Sequence, residues 1–310
     1  MTTIAKSPMA TGDAYPSRTG DRYRFLPRRE PIVYGDAEHG PLDAQALANY
    51  AEKGFLHLPG YFASEEIRPA KTQLACLRED RSLRARPEAI TEPDSGALRS
   101  LFAVHFGQTP FAVLCRDSRL AAIAWQILAS DIYILQSRIN YKPGFAGRGF
   151  FWHSDFETWH VEDGLPRMRA LSCSINLTTN DETNGPLMLV PGSHRRFLSC
   201  AGETPEENYK RSLKRQELGV PDAAHLATLV EEGDLVSTPG PAGSVTLFDC
   251  NLMHGSNSNI TPWPRSNVFI VFNSVENRLV EPFGAPAPRP EFLAHRRRVT
   301  VLDEGSEIYR

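Results

Sequence analysis

Residues 150 to 166 read Phe-Phe-Trp-His-Ser-Asp-Phe-Glu-Thr-Trp-His-Val-Glu-Asp-Gly-Leu-Pro, and the rest of the chain can be interpreted around this stretch. His153 and Asp155 stand one residue apart, so on an extended strand both side chains point to the same face. One imidazole and one carboxylate aimed at the same point supply two of the three ligands that a metal site needs. The third candidate is His254, in the downstream segment Asp-Cys-Asn-Leu-Met-His-Gly-Ser-Asn.

Two histidines and one carboxylate on one side of an ion leave its other side open, an arrangement associated with non-haem Fe(II) oxygenases. The structural alternative is that His153 is a hydrogen-bonded core histidine and that Asp155 forms a turn. The metal hypothesis is favoured by the polar and aromatic residues nearby, which are costly to bury unless they serve a site. These residues are Trp152, Trp159, His160, Glu162 and Asp163.

Composition describes an ordinary globular protein. Of the 310 residues, 41% are hydrophobic and 23% are charged, and a chain of this length can bury a sizeable core without disulfides or metal. The formal net charge of −3 gives no reason to expect nucleic acid or an anionic membrane as a partner. The 24 prolines and 22 glycines are spread along the chain and indicate many turns and short strands.

The five cysteines are scattered, odd in number and form no Cys-x-x-Cys pair. This pattern argues against a disulfide framework or a zinc ribbon and favours a reducing compartment. The amino terminus lacks a basic region followed by an apolar run, and no stretch of 18 apolar residues occurs. We therefore expect neither a secretory signal nor a membrane span, and we predict a cytoplasmic protein.

Residues 1–20 are rich in Ser, Thr, Gly and Pro without periodicity, and we predict a mobile segment here, followed by a single domain over residues 21–310. Helices are predicted in the first part of that domain. They are residues 42–53 ending at Gly54, a helix from Ser64 whose regular part starts at Pro69, a helix opened by Thr109-Pro110, and residues 120–128 capped by Asp117-Ser118.

Beyond Asp131 the chain alternates as strands do. Residues 132–142 place Gln136, Arg138, Asn140 and Lys142 on one face, which is either a solvated sheet surface or the wall of a cavity. Residues 170–178 separate Leu171, Cys173, Ile175 and Leu177 from Ser172, Ser174 and Asn176. Further strands are predicted at 55–58, 187–190, 244–248 and 268–273. Helices first and short strands afterwards predict a mainly β fold with flanking helices, built as a sandwich or barrel.

Residues 202–232 are charged and helix-prone, with Lys210-Arg211 and Lys214-Arg215 close together. Such a basic cluster is typical of a solvated helix face. The segment reads as an insertion between strands, a place where lids are often found.

Arg265 follows His254 by eleven residues, and Ser256 follows it by two. An Fe(II) oxygenase that uses 2-oxoglutarate must hold a dianion whose distal carboxylate lies away from the metal. A guanidinium matches a carboxylate bidentately, and a hydroxyl adds one more donor. Losing one partner of such a buried charged pair costs about 2–5 kcal/mol. The alternative for Arg265 is a surface arginine in Thr-Pro-Trp-Pro-Arg.

His-x-Asp, a distant His, Ser at plus two and Arg at plus eleven together resemble the phytanoyl-CoA dioxygenase-like family of Fe(II)/2-oxoglutarate oxygenases, over roughly residues 42–273. The longer run from Phe150 to Gly164, continuing through Pro166, Met168 and Arg169 to Asn180, is more specific. It resembles the ectoine hydroxylases, a group within that family. Leu165 stands where that group is expected to have Met, which is a mild exchange.

The resemblance implies a double-stranded β-helix (jelly-roll, cupin-like) core and iron held by His153, Asp155 and His254. It implies 2-oxoglutarate as cosubstrate, with Arg265 and Ser256 on its distal carboxylate and Asn140 assisting. It also implies consumption of O2, release of succinate and CO2, and conversion of ectoine to 5-hydroxyectoine, a compatible solute of the osmotic stress response. A homodimer is a further implication of the resemblance.

Ectoine is a small ring that bears a carboxylate and a delocalised amidinium cation. Aromatic faces suit such a cation, and a polar side chain is needed to fix its orientation. By resemblance, the aromatic walls are assigned to Trp159, Phe248 and Phe269 and the polar contact to Gln136. Arg138 and Ser174 are assigned to substrate or cosubstrate, and the sequence does not decide between the two. The alternative for these aromatic residues is plain core packing.

Three other functions compete with this hypothesis. The first is hydroxylation of another small zwitterion, such as proline, by an enzyme of the same family. The second is a jelly-roll binding protein whose metal site does not catalyse. The third is a zinc hydrolase, because His and Asp also bind zinc; it would work without O2 or an oxoacid.

Overall fold

The structure is a computed structural model that describes residues 12–297 and 299–302. Its strands, in chain order, are β1 (Arg24–Pro27), β2 (Phe55–Leu58), β3 (Ala89–Thr91), β4 (Leu98–Phe102), β5 (Ile132–Lys142), β6 (Phe150–His153), β7 (Ala170–Asn176), β8 (Leu187–Leu189), β9 (Arg196–Ser199), β10 (Val236–Ser237), β11 (Val245–Asp249), β12 (His254–Ser256), β13 (Arg265–Ser274) and β14 (Val301–Leu302). Its α-helices are α1 (Ala44–Lys53), α2 (Ser64–Glu79), α3 (Pro110–Cys115), α4 (Ser118–Leu128), α5 (Asp155–Thr158), α6 (Tyr209–Ser212) and α7 (Ala223–Gly233).

A large antiparallel sheet forms the frame of the molecule. Its strands run in the order β2-β11-β7-β13-β5-β4-β3, and β14 also pairs with β5. One face of this sheet is apolar and packs on helices α1 to α4 in a single buried cluster. Among its members are Ile139, Cys173, Ile175, Leu247 and Ile270 from the sheet and Leu47, Leu74, Leu120 and Ile127 from the helices. The alternation predicted for residues 170–178 is therefore confirmed, with the apolar set facing the helices.

The opposite face of the large sheet carries the polar row of β5. In the register of β5 with β13, Lys142 lies beside Arg265 and Asn140 beside Asn267. The side-chain period of two places all four on one face. A bulge between Val271 and Phe272 resets this register at the far end of the strand pair.

A second antiparallel sheet, in the order β10-β8-β12-β6, covers this polar face. The ring of Phe248 on β11 lies 5.0 Å from the ring of His254 on β12, so the two sheets meet here. The polar row of β5 therefore lines the space between two sheets, and its interpretation as a cavity wall is confirmed. Two facing antiparallel sheets with helices on one side confirm the predicted mainly β, jelly-roll architecture.

The helix boundaries follow from their caps. The Asp43 side chain accepts from Ala46 N at the start of α1, and Gly54 ends the helix with a φ of 82°, as predicted. Thr109 and Asp117 cap α3 and α4 in the same way. One expectation was wrong, because α2 is continuous from Ser64 through Pro69. A proline in the second turn removes one backbone hydrogen bond without ending the helix.

The amino-terminal segment differs from its prediction. Residues 1–11 of the segment predicted to be mobile lie outside the described residues. Within the described part, Tyr15, Ser17 and Arg18 are buried, and Tyr15 packs edge-on against Phe156. These contacts place residues 15–18 in the packed domain rather than in a mobile segment.

Residues 202–232 contain α6, all but the last residue of α7, and the four basic residues singled out in the sequence, which are exposed as predicted. The five cysteines are free thiols, as expected from their scatter. None of the helices in the described part of the chain combines the length and apolar character that crossing a membrane would require.

Candidate metal centre and its cleft

His153, Asp155 and His254 meet at one end of the space between the sheets. His153 is the last residue of β6 and His254 the first of β12, and the two are cross-strand partners. Asp155 Oδ1 lies 3.6 Å from His153 Nε2, and Asp155 Oδ2 lies 3.8 Å from His254 Nε2. The three residues are buried, and one candidate ligand atom from each lies within 4.8 Å of the others. The structure thus brings together the three residues that the sequence singled out.

The position of Asp155 differs from the expectation of a shared strand. β6 ends at His153, and Asp155 is the first residue of α5, with Ser154 at the N-cap position. The carboxylate nevertheless faces the two imidazoles, and the Ser172 hydroxyl on β7 donates to its Oδ2 at 3.1 Å. The sequence spacing correctly predicted that His153 and Asp155 lie close together, but the prediction that both lie on one strand was wrong.

Backbone carbonyls fix the two imidazoles. His153 Nδ1 lies 2.6 Å from Phe151 O, and His254 Nδ1 lies 2.9 Å from Leu252 O. A carbonyl oxygen only accepts, so each Nδ1 carries the proton and each Nε2 lone pair is directed towards Asp155. Metal-binding histidines are commonly oriented by a hydrogen bond of this kind.

The charge states also suit a divalent cation. Burial and the neighbouring imidazole of His153 lower the pKa of His254 to about 4. Burial alone would raise the pKa of Asp155, but His254, His153 and Arg138 together hold it below its usual range. A neutral imidazole and an ionised carboxylate are therefore ready at neutral pH without loss of a proton. Ligand atoms bound at about 2.0–2.2 Å lie roughly 3–4 Å apart, which matches the spacing here.

His153 and Asp155 also form part of the wall of a cleft. Of the predicted substrate residues, Trp159, Gln136 and Arg138 line it. Other described residues on its wall are Arg99, Ser100, Phe102, Gly149, Phe150, Phe151, Thr158, Glu162, Ser212, Leu213, Arg215, Gln216, Leu218 and Arg289. The cleft therefore joins the metal ligands to the residues expected to hold an organic substrate.

Arg138 is a half-buried cation on this wall. Its guanidinium lies 4.3 Å from the centroid of the Phe269 ring and donates to Gln136 Oε1 at 3.1 Å. Its Nε has no hydrogen-bond partner among the described residues. Burial lowers the pKa of Arg138 to about 10, which still leaves it charged at neutral pH. An unsatisfied, charged donor in a cleft wall is a site for an anionic group.

The other predicted substrate residues stand behind this wall. Phe248 is buried with its ring 6.0 Å from that of Phe269. Ser174 is buried and accepts from Asn267 Nδ2 at 2.8 Å. None of these three, Phe248, Phe269 and Ser174, is among the described residues that line the cleft. They support the wall in this structure, and their assignment as substrate contacts stays a prediction.

The predicted oxoacid residues form a second group, centred on a lysine that the sequence placed in the polar row without a role. Lys142 Nζ donates to Ser256 Oγ at 2.7 Å and also to the carbonyl of Asn257. Burial, followed by the positive charge of Arg265, lowers the pKa of Lys142 well below its usual range. Asn140, on the same strand, accepts from the Ser100 hydroxyl at 3.1 Å.

Arg265 is buried beside Lys142, and burial lowers its pKa to about 10. No carboxylate lies within ion-pairing distance of Arg265 or Lys142 in the part of the chain that the structure describes, and Arg265 Nε lacks a hydrogen-bond partner there. Two adjacent buried cations without an acid are expensive, and a bound dianion would neutralise them. The donor set therefore fits the distal carboxylate of an oxoacid.

Sequence reasoning missed four buried ion pairs around the cleft. They are Arg99 with Glu92, Arg289 with Asp163, and Arg18 with both Glu157 and Glu162. The acids could be found, since Glu157, Glu162 and Asp163 crowd the stretch that follows Asp155. Their partners come from distant segments, and nothing in the sequence marks those arginines.

Comparison with known proteins places these observations in a family. Residues 50–267 match the family described as phytanoyl-CoA dioxygenase (PhyH). The chain is similar to the ectoine dioxygenase of Bordetella bronchiseptica, with 54% identity over 92% of this chain and 93% of that one. It is also similar to the ectoine dioxygenase of Halomonas elongata, with 49% identity over 94% and 89%.

Among solved structures, the chain is similar to EctD from S. alaskensis with 2-oxoglutarate and 5-hydroxyectoine. The TM-score is 0.83 at 46% identity, over 92% of this chain and 95% of that one. A second structure of the same protein, with bound Fe, gives a TM-score of 0.83 at 44% identity, over 94% and 97%.

Proposed function

Since the chain belongs to the phytanoyl-CoA dioxygenase family, we propose that it hydroxylates ectoine to 5-hydroxyectoine in an Fe(II)- and 2-oxoglutarate-dependent reaction. O2 is consumed, and succinate and CO2 are formed. The observation that carries the proposal is the meeting of His153, Asp155 and His254 at one point, with His153 and Asp155 forming part of the wall of a cleft. Similarity to ectoine dioxygenases over more than nine-tenths of the chain supports the choice of substrate.

His153, Asp155 and His254 hold the iron in this proposal. When bound, the ferrous ion and the oxoacid would supply the electrons that activate O2 towards a C–H bond. The protein's part is to keep both Nε2 atoms and the carboxylate aimed at one point. The carbonyls of Phe151 and Leu252 hold the imidazole rings, and the Ser172 hydroxyl holds the carboxylate.

Arg265, Ser256, Lys142 and Asn140 hold the oxoacid. Lys142 donates to Ser256 Oγ, so the hydroxyl proton of Ser256 remains available for a carboxylate oxygen. Arg265 offers a planar fork in a buried position with an unpaired Nε. The charge of the dianion then offsets the two buried cations, which gives the site a reason to prefer 2-oxoglutarate over a monoanionic oxoacid.

The ring of ectoine lies in the cleft between Trp159 and Arg138. The indole face of Trp159 suits the delocalised cation, and the guanidinium of Arg138 suits the carboxylate. Gln136 fixes the orientation, since its amide donates to Leu293 O and accepts from Arg138. Phe248, Phe269 and Ser174 complete the walls from behind.

The proposal is tested by incubating the protein with Fe(II), 2-oxoglutarate, ascorbate and ectoine under air. We expect one succinate for each 5-hydroxyectoine, measured by NMR, and no reaction without O2 or 2-oxoglutarate. Succinate without hydroxyectoine would reject ectoine as substrate but retain the reaction class. Proline in place of ectoine is the matched control and should remain unchanged. Turnover without the oxoacid would reject the oxygenase and favour a hydrolase.

For the cellular location we propose the cytoplasm, supported by five free thiols of which four are buried. For the assembly we propose a homodimer, which light scattering coupled to size-exclusion chromatography tests. A mass near 34.5 kDa in solution would contradict the dimer.

A further inference from the structure

Arg18 sits at a buried junction of three segments that are distant in the sequence. Its Nε donates to Glu157 Oε1 at 3.0 Å and its Nη2 to Glu157 Oε2 at 2.7 Å. Its Nη1 donates to Glu162 Oε1 at 2.6 Å. All three side chains are almost fully shielded from solvent. The backbone of Arg18 has a φ of 57°, a left-handed conformation that costs free energy for any residue except glycine.

Both acids belong to the segment that starts with the metal ligand Asp155. Glu157 lies on α5, and Glu162 lies on the π-helical turn Trp159–Asp163 that follows it. The same turn begins with Trp159, which forms part of the cleft wall. A single guanidinium is thus bonded to two points of the segment that carries one metal ligand and one proposed substrate contact.

The third segment is residues 203–219, named here the cover segment. Five of its residues, 212, 213, 215, 216 and 218, line the cleft. It follows Gly202, whose backbone is hydrogen-bonded in both directions to Gly20. Residues 18–20 and 200–202 therefore run side by side where the cover segment starts.

The cover segment contacts the Arg18 junction and the adjacent Thr158 at several points. Asn208 Nδ2 donates to Glu162 Oε1 at 2.9 Å, and Gln216 Nε2 lies 3.5 Å from Thr158 Oγ1. At its end, a Cβ on Gly219 would lie 2.2 Å from Glu157 Oε2 and 2.6 Å from Arg18 Nη2. Glycine is required there because the chain passes directly over the ion pair, with a φ of +71°.

We propose that Arg18 is a positioning residue that holds the cover segment closed over the substrate cleft through Glu157 and Glu162. The inference rests on the proposed function for the identity of the substrate. The ion pairs themselves need not stabilise the fold, because buried ion pairs often contribute less than apolar side chains of equal volume. They fix one arrangement of three segments, since Glu162 accepts from both Arg18 and Asn208, and Glu157 is bonded to Arg18 directly beneath Gly219.

Asn208→Ala tests the link between the cover segment and the junction without removing the buried ion pairs. The segment carries four exposed trypsin sites at Lys210, Arg211, Lys214 and Arg215. Loss of a hydrogen bond to a charged group typically corresponds to about tenfold or more in an equilibrium, so we expect cleavage about tenfold faster than in the unchanged protein. Glu206→Ala, an exposed change on the same segment, is the control and should be cut at the original rate.

The same variant separates positioning from folding. With Asn208→Ala we expect KM for ectoine to rise about tenfold, because the closed arrangement is lost to the same extent as in the cleavage experiment. KM for 2-oxoglutarate, iron content and Tm should stay unchanged. The proposal would be overturned if trypsin cut Asn208→Ala no faster than Glu206→Ala. It would also be overturned if Asn208→Ala were cut faster but kept the original KM for ectoine. The trypsin measurement needs no substrate, so it remains decisive if ectoine is not turned over.

Arg18→Lys and Arg18→Met test the residue itself. Lysine keeps the charge but loses the fork that reaches both acids, so its cleavage rate and KM for ectoine should lie between those of the unchanged protein and of Arg18→Met. Iron content shows whether each variant has folded. Should Arg18→Met fail to fold, Arg18→Lys and Asn208→Ala carry the test. A folded Arg18→Met with unchanged cleavage and KM would contradict a positioning role.

Discussion

His153 and His254 are cross-strand partners on β6 and β12, and the centroids of their rings lie 4.2 Å apart. The register of two short strands therefore decides whether the metal centre exists. A slip of one residue would turn one imidazole to the other face of the sheet. Asp155 then needs only the first turn of α5 to reach both rings, and His254, from a distant part of the chain, completes the group of three ligands.

His254→Ala should abolish hydroxylation and lower iron affinity by more than about 100-fold, beyond the 10- to 100-fold effect of changes outside the ligand shell. The fold should survive because the apolar cluster under the helices does not involve the site. Bound iron after equilibrium dialysis and the far-UV circular dichroism spectrum measure the two effects.

His39→Ala is the control for this variant, since His39 is exposed and pairs with Asp36 away from the cleft. It should bind iron and turn over as the unchanged protein does. Full iron content in His254→Ala would show that another residue completes the centre.

The sequence identified the metal ligands because their chemistry is local. His-x-Asp needs only a short spacing, and a histidine after a strand can reach a central ion. The polar row of β5 could also be predicted from the sequence, because alternating polar and apolar residues show which side chains share one face of a strand. That this face lines a cavity had to be inferred. The caps of α1, α3 and α4 were readable for the same reason: a cap is a contact between near neighbours in sequence.

Contacts set by topology could not be predicted. Arg18 and Glu157 are separated by 139 positions, and no pattern in the sequence pairs them. Lys142 was visible in the polar row, but its bond to Ser256 depends on β5 and β12 lying in facing sheets. Residues 15–18 looked mobile because their composition is that of a loop, and their burial comes from partners supplied by the rest of the fold.

Trp159→Leu should raise KM for ectoine by about 2- to 30-fold, the range expected for loss of a cation–π contact. Trp159→Phe keeps an aromatic face, so its KM for ectoine should lie between those of the unchanged protein and of Trp159→Leu. KM for 2-oxoglutarate should not change in either variant, because Trp159 lies on the helical turn after α5, whereas Lys142 and Arg265 are partners on β5 and β13. Initial rates with each substrate varied in turn give both constants.

Trp263→Phe serves as the control for Trp159, because Trp263 is a tryptophan 65% exposed on a surface loop. Its KM for ectoine should equal that of the unchanged protein. If Trp159→Leu were equally unaffected, the indole would be core packing, as the structural alternative holds.

Arg138→Met should raise KM for ectoine by about 30-fold or more, as removal of one partner of a buried charged pair does. The same change should raise Tm, since it removes a cation whose Nε is unpaired among the described residues. Opposite shifts in affinity and stability are the signature of a residue kept for binding. A selective rise in KM for 2-oxoglutarate instead would reassign Arg138 to the cosubstrate.

Lys142→Met should weaken binding of 2-oxoglutarate by about tenfold or more, the loss typical of a hydrogen bond to a charged group, and raise Tm in its absence. The control is Lys71→Met, because Lys71 is exposed on α2. Lys71→Met should leave both the affinity for 2-oxoglutarate and Tm unchanged. Calorimetric titration of 2-oxoglutarate into the Ni(II)-loaded protein measures the affinity without turnover.

The pH dependence of that affinity identifies the ammonium. Burial lowers the pKa of Lys142 in the free protein, whereas a bound dianion favours the charged form and raises that pKa in the complex. Binding therefore takes up a proton at pH values between the two pKa values, and affinity falls as pH rises through that window. Titrations in buffers of different ionisation enthalpy count the protons. Lys142→Met should take up none, and an unchanged proton uptake would assign the titration to another group.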